Sequence, residues 1–340
     1  MKLMRTEDAI GQVLCHDITQ IIKDVKKGPA FRKGHIITKE DIHLLLSLGK
    51  DHIYIWENDE NMLHENEAAE ILYDLCQNEN MHGGEVKEGK IEVIADCDGL
   101  LKIDRKKLKA VNSLGQMMIA SRHGDFPVKK GDKIAGTRII PLVIEKEKME
   151  AARKAAAGGK IFTLKPFVHK KAGLVTTGNE VFYRRIKDTF SPVIFQKLQE
   201  YNTEVIGHKY SSDEPQMIID CIQELLQAGS DFIICSGGMS VDPDDKTPFA
   251  IKSVADHVIS YGAPVLPGAM FMLAYYGDKK IPIVGLPGCV MYARRTIFDL
   301  ILPRIMADDL ITEEELASLG EGGLCLNCEQ CSFPNCGFGK

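Results

Sequence analysis

The apolar and polar positions change pattern near residue 165. From there to about residue 308, short apolar runs such as "KAGLVTT" and "DFIICSGG" alternate with amphipathic segments such as "DEPQMIIDCIQELLQAG". The spacing is that of repeated strand–helix–strand units, in which each strand is buried on both faces. The pattern predicts an α/β domain with a doubly wound, mostly parallel sheet over residues 165–308.

The pattern before residue 165 predicts a smaller N-terminal region that is α+β and β-rich. Residues 1–80 are predicted to be α+β, with a helix in "KEDIHLLLSL" and a strand in "HIYIW". Alternating positions over 81–145 predict a β-rich domain. The alanine-rich run "EKEKMEAARKAAAGG" predicts a helical connector over 146–164.

Several helix boundaries in the α/β part can be predicted from capping residues. Ser191 precedes a proline at the start of "SPVIFQKLQEY", and Asp213 and Thr247 stand before two further amphipathic runs. Such residues are preferred N-caps. The segment "CVMYARRTIFDLILPRI" predicts one long closing helix.

The stretch "CSGGMSVDPDDKTPFAI" combines flexible backbone with negative charge directly after a predicted strand. Glycines allow positive φ, and their N–H groups with the next helix start would form a nest for a phosphate or another oxyanion. The aspartates would repel a phosphate unless a cation such as Mg²⁺ lies between them. A tight acidic surface loop that caps the next helix is the alternative. The residues in question are Ser236, Gly237, Gly238, Ser240, Asp242, Asp244, Asp245 and Thr247.

Two more turns follow strands of the same predicted sheet. "TTGNEV" contains Gly178, Asn179 and Glu180, and "GLPGC" contains Pro287 and Gly288. Either one alone is typical of an ordinary turn. Because ligands of such sheets bind beyond the carboxyl ends of the strands, three turns there favour one shared site.

Together these motifs resemble the molybdopterin-binding proteins of molybdenum-cofactor biosynthesis. That family has a strand ending T-G-D/N-E, a turn G-G-x-S/G followed by an aspartate and often D-x-T-P, and a late L-P-G. The corresponding stretches are "TTGNEV", "SGGMSVDPDDKTP" and "GLPGCVMYARRTIFDLILPR". Asp188 and Asp213 match recurring aspartates of the family. The resemblance covers 165–305. The stretches "AIGQVLCHDIT" and "VKKGDKIAGTRI" resemble the two-domain molybdopterin molybdotransferases more loosely.

The resemblance implies binding of molybdopterin or adenylyl-molybdopterin, a phosphorylated pterin that carries a dithiolene. The phosphate would rest on Gly237, Gly238 and Ser240, and the catalytic Asp242, Asp245 and Glu180 would hold Mg²⁺ or position the metal oxyanion. In a molybdotransferase, molybdate then enters the dithiolene and adenylate is released. It also implies a homo-oligomer, with a molybdoenzyme or another cofactor-biosynthesis protein as partner. Further implied binding residues are Thr177, Gly178, Asn179, Asp188, Asp213, Ser236, Thr247, Pro287 and Gly288.

The chain departs from the family pattern at several positions, and three functions stay open. Asn179 stands where aspartate is usual, Cys289 stands where asparagine is usual, and "PGAMFM" lacks the usual lysine. We also expect the C-terminal β-domain of the transferases to be absent. The alternatives are a molybdotransferase, a non-catalytic cofactor carrier or sensor for a molybdoenzyme, and a nucleotide-pyrophosphate hydrolase on the same fold.

Cysteines crowd the segment 320–340, which we predict to be a metal-binding tail. "CLNCEQCSFPNCGFGK" has the spacing C-x₂-C-x₂-C-x₄-C, formed by Cys325, Cys328, Cys331 and Cys336. The first three match the run that binds a [4Fe–4S] cluster, and four cysteines also suit Zn²⁺. Redox-active thiols or a flexible tail are the third alternative. The preceding "EGGL" predicts a flexible joint.

Composition narrows the classes of partner. The formal net charge of −6 argues against a nucleic-acid partner, which normally binds a basic face. No apolar run reaches the ~18 residues that span a bilayer, and the start lacks the apolar core of a secretory signal. We therefore expect a cytoplasmic protein without a membrane partner. No phosphate-binding G-x-x-x-x-G-K-S/T motif is present.

Overall fold

The computed structural model describes residues 2–22, 26–55 and 59–340. The chain divides into two compact units. The first comprises Met1–Asp96, Ile103–Arg122 and Lys130–Thr163, and the second comprises Cys97–Lys102, His123–Lys129 and Leu164–Lys340. The predicted domain ranges stay a prediction. Within the described residues, no helix is both long enough and apolar enough to cross a membrane.

Secondary structure up to residue 166 is mostly short strands. In chain order the elements are β1 (Lys2–Arg5), β2 (Ile18–Ile22), β3 (Lys26–Phe31), α1 (Asp41–Ser47), β4 (His52–Ile55), β5 (Met62–His64), α2 (Glu65–Cys76), β6 (Met81–Gly83), β7 (Lys90–Ala95), β8 (Gly99–Ile103), α3 (Arg105–Asn112), β9 (Met117–Ser121), β10 (Phe126–Val128), β11 (Lys133–Ile139), β12 (Val143–Glu145), α4 (Lys146–Ala155) and β13 (Phe162–Pro166). The predicted strand "HIYIW" is β4, and its last residue, Trp56, lies outside the described residues.

The first unit is built from antiparallel pairings. Strands β6, β7, β11 and β9 form a four-stranded sheet, and β1 pairs with β4, β2 with β3, and β5 with β12. A small core of apolar side chains lies near the amino terminus and includes Leu14, Leu45 and Ile53. Strands β10, β8 and β13 form a three-stranded sheet in that order. All of β10 and most residues of β8 and β13 belong to the second unit.

Strands and helices alternate from residue 171 onward. The elements are β14 (Lys171–Thr177), α5 (Asn179–Phe182), α6 (Phe190–Gln199), β15 (Glu204–Ser211), α7 (Pro215–Gln227), β16 (Phe232–Ser236), α8 (Thr247–Val254), β17 (His257–Tyr261), β18 (Met272–Tyr276), β19 (Ile281–Leu286), α9 (Ile297–Met306) and α10 (Glu313–Ser318). The alternation confirms the α/β pattern predicted for this part of the chain.

A six-stranded sheet organises the second unit, in the order β15-β14-β16-β19-β18-β17. The pairings among β15, β14, β16 and β19 are parallel, and β18 and β17 complete the sheet as antiparallel strands. Helices α6 and α9 pack on one face, and α7 and α8 pack on the other. The predicted doubly wound, mostly parallel sheet is therefore confirmed.

Three of the predicted N-caps are wrong. Helix α6 is capped by Asp188, whose carboxylate accepts from the N–H groups of Phe190 and Ser191 at 2.9 and 3.1 Å. Asp213 and Thr247 make no capping hydrogen bond to α7 or α8. Both side chains bond instead to residues far away in the sequence, and those contacts belong to the candidate site.

The closing helix begins eight residues later than predicted. A single 3-10 turn covers Gly288–Met291, and α9 starts only at Ile297. Thr296 explains the break, because its hydroxyl accepts from Phe298 N while Asp299 accepts from Thr296 N. This reciprocal capping box sets a new helix start. The segment between the two helical pieces is thereby left non-helical.

Candidate functional site

The carboxyl ends of β14, β16 and β19 lie side by side. Thr176 is opposite Ser236, and Ser236 is opposite Leu286, in directly neighbouring parallel strands. Adjacent strands are about 4.8 Å apart, so the turns that follow them meet at one edge of the sheet. We call this edge the rim and define it as residues 177–180, 236–247 and 286–289.

Thr177 connects two of the turns at the rim. Its hydroxyl lies 2.9 Å from the hydroxyl of Thr247 and donates to Ser236 O at 3.3 Å. Thr247 N donates in turn to Gly238 O at 3.3 Å. All three side chains, those of Thr177, Ser236 and Thr247, are buried. The hydroxyls therefore hold the first turn of α8 against the glycine turn.

Glycine is required at both positions of the turn after β16. Gly237 has φ +94°, and a Cβ there would lie 2.3 Å from Thr177 O. Gly238 has φ +55°, and a Cβ there would lie 2.8 Å from Thr247 Oγ1. Main chain and buried hydroxyls thus occupy the inner side of the turn, and both glycines stay half-buried at the rim.

The acidic part of the rim is ordered by its own backbone. Asp242 N donates to Asp245 Oδ2 at 3.2 Å, and Asp245 N donates to Asp242 O at 2.9 Å. The side chain of Asp242 is exposed, whereas Asp245 is half-buried with Oδ1 on the side of Gly238. Asp245 is consequently the carboxylate of this turn that lies nearest to the glycine nest.

Asp213 joins the first turn of the rim to the end of β15. Its carboxylate accepts from Asn179 N at 2.9 Å. Burial raises the pKa of Asp213, the hydrogen bond from Asn179 lowers it, and the negative charges of Glu180, Asp244 and Asp245 raise it further. Burial is the largest of these causes, and the smaller charge effects place carboxylates from two other segments near Asp213. Within the described ranges, no three His, Cys, Asp or Glu side chains are arranged to hold a metal ion.

Asp188 is the centre of a polar cluster at the start of α6. Besides capping the helix, its carboxylate accepts from the hydroxyls of Ser191 and Tyr210. Burial would raise the pKa of Asp188, but the hydrogen bonds from Ser191, Phe190 and Tyr210 lower it overall. His208 Nε2 lies 3.1 Å from Ser191 Oγ, so the cluster also contacts β15. The contacts give Asp188 a structural role in addition to its predicted binding role.

The structure locates the remaining predicted residues along the same edge. Gly178 is buried, and a Cβ there would lie 2.7 Å from Glu180 Oε1. Ser240 is exposed, and its carbonyl accepts from the hydroxyl of Tyr261 at 3.2 Å. Pro287 is buried and Gly288 is exposed. Tyr261, which contacts the rim, and His208, which contacts Thr176 and Ser191 beside it, were not predicted, because these contacts depend on strand order.

The cysteine tail is folded against the second unit, so the predicted flexible joint is wrong. Leu324 pairs with Leu266, and Cys325 N donates to Leu266 O at 2.8 Å. The ring of Phe333 lies 5.9 Å from that of Phe126, and Phe338 is buried in the same core. Two aromatic side chains thus give the tail the apolar support that its local sequence does not suggest.

All four tail cysteines line one cavity of about 610 Å³. We call this space the cysteine cavity. Cys325 and Cys336 are half-buried, and Cys328 and Cys331 are exposed. Arg294 lines the cavity and donates to the carbonyls of Cys328 and Glu329. Four cysteines thus line one space, but no three of these side chains are arranged to hold a metal ion.

The second unit is therefore an α/β domain in which glycine turns and carboxylates lie together at the carboxyl ends of parallel strands. Residues 173–307 match the family model described as "Probable molybdopterin binding domain". This match confirms the resemblance to molybdopterin-binding proteins stated from the motifs. Residues 3–57 match a second model, described as "Domain of unknown function (DUF8806)".

Individual relatives match parts of the chain. A CinA-like protein of Mycobacterium avium is 35% identical over 80 residues, which are 24% of this chain and 18% of that protein. A molybdopterin molybdenumtransferase of Synechococcus elongatus is 22% identical over 143 residues, or 40% of this chain and 36% of that enzyme. The chain therefore spans less than a fifth of the length of the CinA-like relative.

Solved structures of molybdopterin biosynthesis proteins are also similar. MoaB from Thermus thermophilus is 24% identical, covers 40% of this chain and 91% of its own, and has a TM-score of 0.36. MogA is 20% identical, covers 42% of this chain and 100% of its own, and has a TM-score of 0.35.

Proposed function

We propose that the rim binds molybdopterin or adenylyl-molybdopterin during molybdenum-cofactor biosynthesis. The observation that carries the proposal is the junction of Thr177, Gly237, Gly238 and Thr247, which holds a glycine turn and a helix start at one sheet edge. Backbone N–H groups in such a nest favour an anionic group. The pterin phosphate is therefore the part of the ligand that we assign to the turn Gly237–Ser240.

We further propose that Mg²⁺ is held by Asp242, Asp245 and Glu180. Carboxylate oxygens are the ligands that a hard cation prefers. Burial is the main cause that raises the pKa of Asp213, and the negative charges of Glu180 and Asp245 raise it further, so these two carboxylates lie near the same residue. A bound Mg²⁺ supplies a Lewis acid and a template for phosphate oxygens. The residues of the chain do the positioning: Asp245 orients the turn through Asp242 N, and Asp213 fixes Asn179.

Insertion of molybdate into the dithiolene, with release of adenylate, is the reaction we propose for this site. The rim has preorganised N–H donors but no nucleophile held by a base among its described residues, so the arrangement suits electrostatic positioning. A carrier that passes finished cofactor to a molybdoenzyme would use the same binding contacts without turnover. We also propose a cytoplasmic homo-oligomer, which sedimentation analysis of purified protein tests.

One anaerobic assay distinguishes the functions. Purified protein is mixed with adenylyl-molybdopterin, Mg²⁺ and molybdate, and AMP and active cofactor are measured. We expect both products. Binding without turnover would support the carrier. Cleavage of nucleotide pyrophosphates without pterin binding would overturn the proposal in favour of a hydrolase.

Matched variants locate the chemistry within the chain. Asp245→Asn should abolish the dependence of the reaction on Mg²⁺. Asp278→Asn is the control, because Asp278 is an exposed residue of the turn between β18 and β19, at the opposite edge of the sheet. Equal Mg²⁺ dependence in both variants would contradict the assignment of Asp245.

A metal at the cysteine cavity is a second proposal, supported by the four cysteines that line one space. The spacing of the first three favours a [4Fe–4S] cluster, and one Zn²⁺ is the alternative. Thiolate ligands require a reducing compartment such as the cytoplasm. Metal and sulfide analysis of anaerobically purified protein separates the two, and protein without iron or zinc would overturn the proposal.

A further inference from the structure

We infer that Tyr261 is a positioning residue of the proposed pterin site, because its hydroxyl orients two main-chain N–H groups that bind the phosphate. These are the N–H groups of Ser240 and Val241, at the end of the glycine turn after β16. The inference rests on the proposed function, because it assumes that the phosphate of the pterin lies at this turn. We call residues 237–241 the phosphate turn.

The hydroxyl of Tyr261 contacts the main chain of the phosphate turn directly. Tyr261 is the last residue of β17, which forms one edge of the six-stranded sheet. Its hydroxyl donates to Met239 O at 2.8 Å and to Ser240 O at 3.2 Å, so a single proton is shared between two carbonyl oxygens. An edge strand thereby holds two consecutive peptide units of the turn.

The geometry of the peptide unit converts these two contacts into a direction for the N–H groups. A trans peptide unit is planar, and its C=O and N–H bonds point to opposite sides. Both peptide bonds are trans in this segment. Met239 O shares its peptide unit with Ser240 N, and Ser240 O shares its unit with Val241 N. Because Tyr261 holds both oxygens on its own side, both N–H groups point away from its ring.

The two N–H groups are left without an acceptor from the protein. Throughout the described ranges, no main-chain or side-chain oxygen accepts from Ser240 N or Val241 N. The next N–H group, that of Asp242, is already used, because it donates to Asp245 Oδ2 at 3.2 Å. Ser240 and Val241 are both exposed. Adjacent N–H groups without partners favour an oxyanion, so this pair is available for the phosphate.

Other contacts fix the phosphate turn next to this pair. The carbonyl of Gly238 accepts a hydrogen bond from the first N–H group of α8. The side chain of Met239 is buried, and a Cβ at Gly285 would lie 2.5 Å from its Cε. Among the described residues, Tyr261 is the side chain that hydrogen-bonds the two carbonyls after Gly238. Removing its hydroxyl therefore releases these two peptide units while the rest of the turn stays anchored.

The ring of Tyr261 and its proton are held in the donating arrangement. Tyr261 pairs with Met272 in the antiparallel ladder of β17 and β18, and Lys252 Nζ lies 5.6 Å from the centre of its ring. Burial and the negative charge of Asp245 raise the pKa of Tyr261. The hydroxyl therefore keeps the proton that it donates to the turn at neutral pH.

The substitution Tyr261→Phe isolates this contact, because it removes the hydroxyl and keeps the ring. The two peptide units lose the contact that fixes their direction, and their N–H groups must be reoriented when the phosphate binds. A hydrogen bond to a charged group typically contributes a factor of about ten or more to an equilibrium constant. We therefore expect the variant to bind the phosphorylated pterin about tenfold more weakly.

The test compares two ligands, molybdopterin and molybdopterin whose phosphate has been removed with a phosphatase. Their dissociation constants are measured anaerobically for the full chain, as the wild type and as Tyr261→Phe. We expect the variant to bind molybdopterin about tenfold more weakly and the dephosphorylated pterin as tightly as the wild type does. A purely structural role would weaken the binding of both ligands alike, so the dependence on the phosphate reports positioning.

Tyr276→Phe is the matched control, because Tyr276 is an exposed tyrosine at the end of β18, at the edge of the sheet opposite the rim. It should bind both ligands with wild-type affinity. Unchanged affinity for molybdopterin in Tyr261→Phe, or an equal loss for both ligands, would overturn the inference. If the wild type binds neither ligand, the proposed function is overturned instead. If the wild type binds both ligands equally, the phosphate does not lie at the turn, and the inference falls with that assignment.

Discussion

Replacing Gly237 with alanine tests the geometry of the glycine turn more directly than any other single change. Two penalties apply at this position. The φ of +94° is unfavourable for alanine, and the new Cβ would lie 2.3 Å from Thr177 O. Because that oxygen is main chain in a central strand, it cannot move away as a flexible side chain could.

Gly229 offers a matched control in the same unit. It has a φ of +88°, but a Cβ there would meet nothing within 4 Å. Alanine in the left-handed region costs about 1 kcal/mol, and overpacking against fixed atoms adds about 2 kcal/mol. We therefore expect Gly229→Ala to lower the free energy of unfolding by about 1 kcal/mol and Gly237→Ala by about 3 kcal/mol.

Hydrogen exchange of peptides from β16, followed by mass spectrometry, measures this difference within the α/β unit. Under conditions where exchange reports the opening equilibrium, a gap of about 2 kcal/mol corresponds to roughly 30-fold faster exchange in Gly237→Ala than in Gly229→Ala. Pterin affinity should fall in Gly237→Ala alone. Equal exchange in the two variants would refute the close contact between the turn and Thr177.

Three further changes test other parts of the second unit. Burial and nearby carboxylates raise the pKa of Asp213, so the wild-type protein gains stability as the pH falls through that raised pKa. Asp213→Asn should therefore be more stable than the wild type at neutral pH and lose this advantage in acid. A difference in melting temperature between the two proteins that is the same at every pH would contradict this. Asp188→Ala should destabilise the protein by about 1 kcal/mol in urea titrations, because it removes the cap of α6. Cys328→Ser should lower the metal retained per chain, whereas Cys221→Ser, a change at a buried cysteine of α7, should not.

The order of strands and helices in the α/β part follows from local patterns. Apolar runs separated by amphipathic segments predict parallel strands, and a glycine directly after each run predicts a turn at the carboxyl end. Parallel strands all present this end at one edge, so "TTGNEV", "SGGMS" and "GLPGC" had to meet if the sheet formed. No long-range contact had to be known for that part of the prediction.

The roles of individual polar side chains could not be predicted in the same way. Asp188, Asp213 and Thr247 stand near helix starts, where each could cap the next helix. In the structure only Asp188 does so, while Asp213 bonds to Asn179 and Thr247 bonds to Thr177, 70 residues earlier. A carboxylate or hydroxyl accepts whichever donor the fold brings closest, and that choice depends on strand order.

The tail shows the same division between local and tertiary information. The spacing of its cysteines is a property of the sequence alone, and it predicts a metal-binding segment. Only the tertiary structure decided that Phe333 and Phe338 pack into the core and that Arg294 contacts the cysteine loop. The physical reason is that periodicity and residue type act over a few neighbouring positions, whereas burial and hydrogen-bond partners depend on segments that meet only when the chain folds.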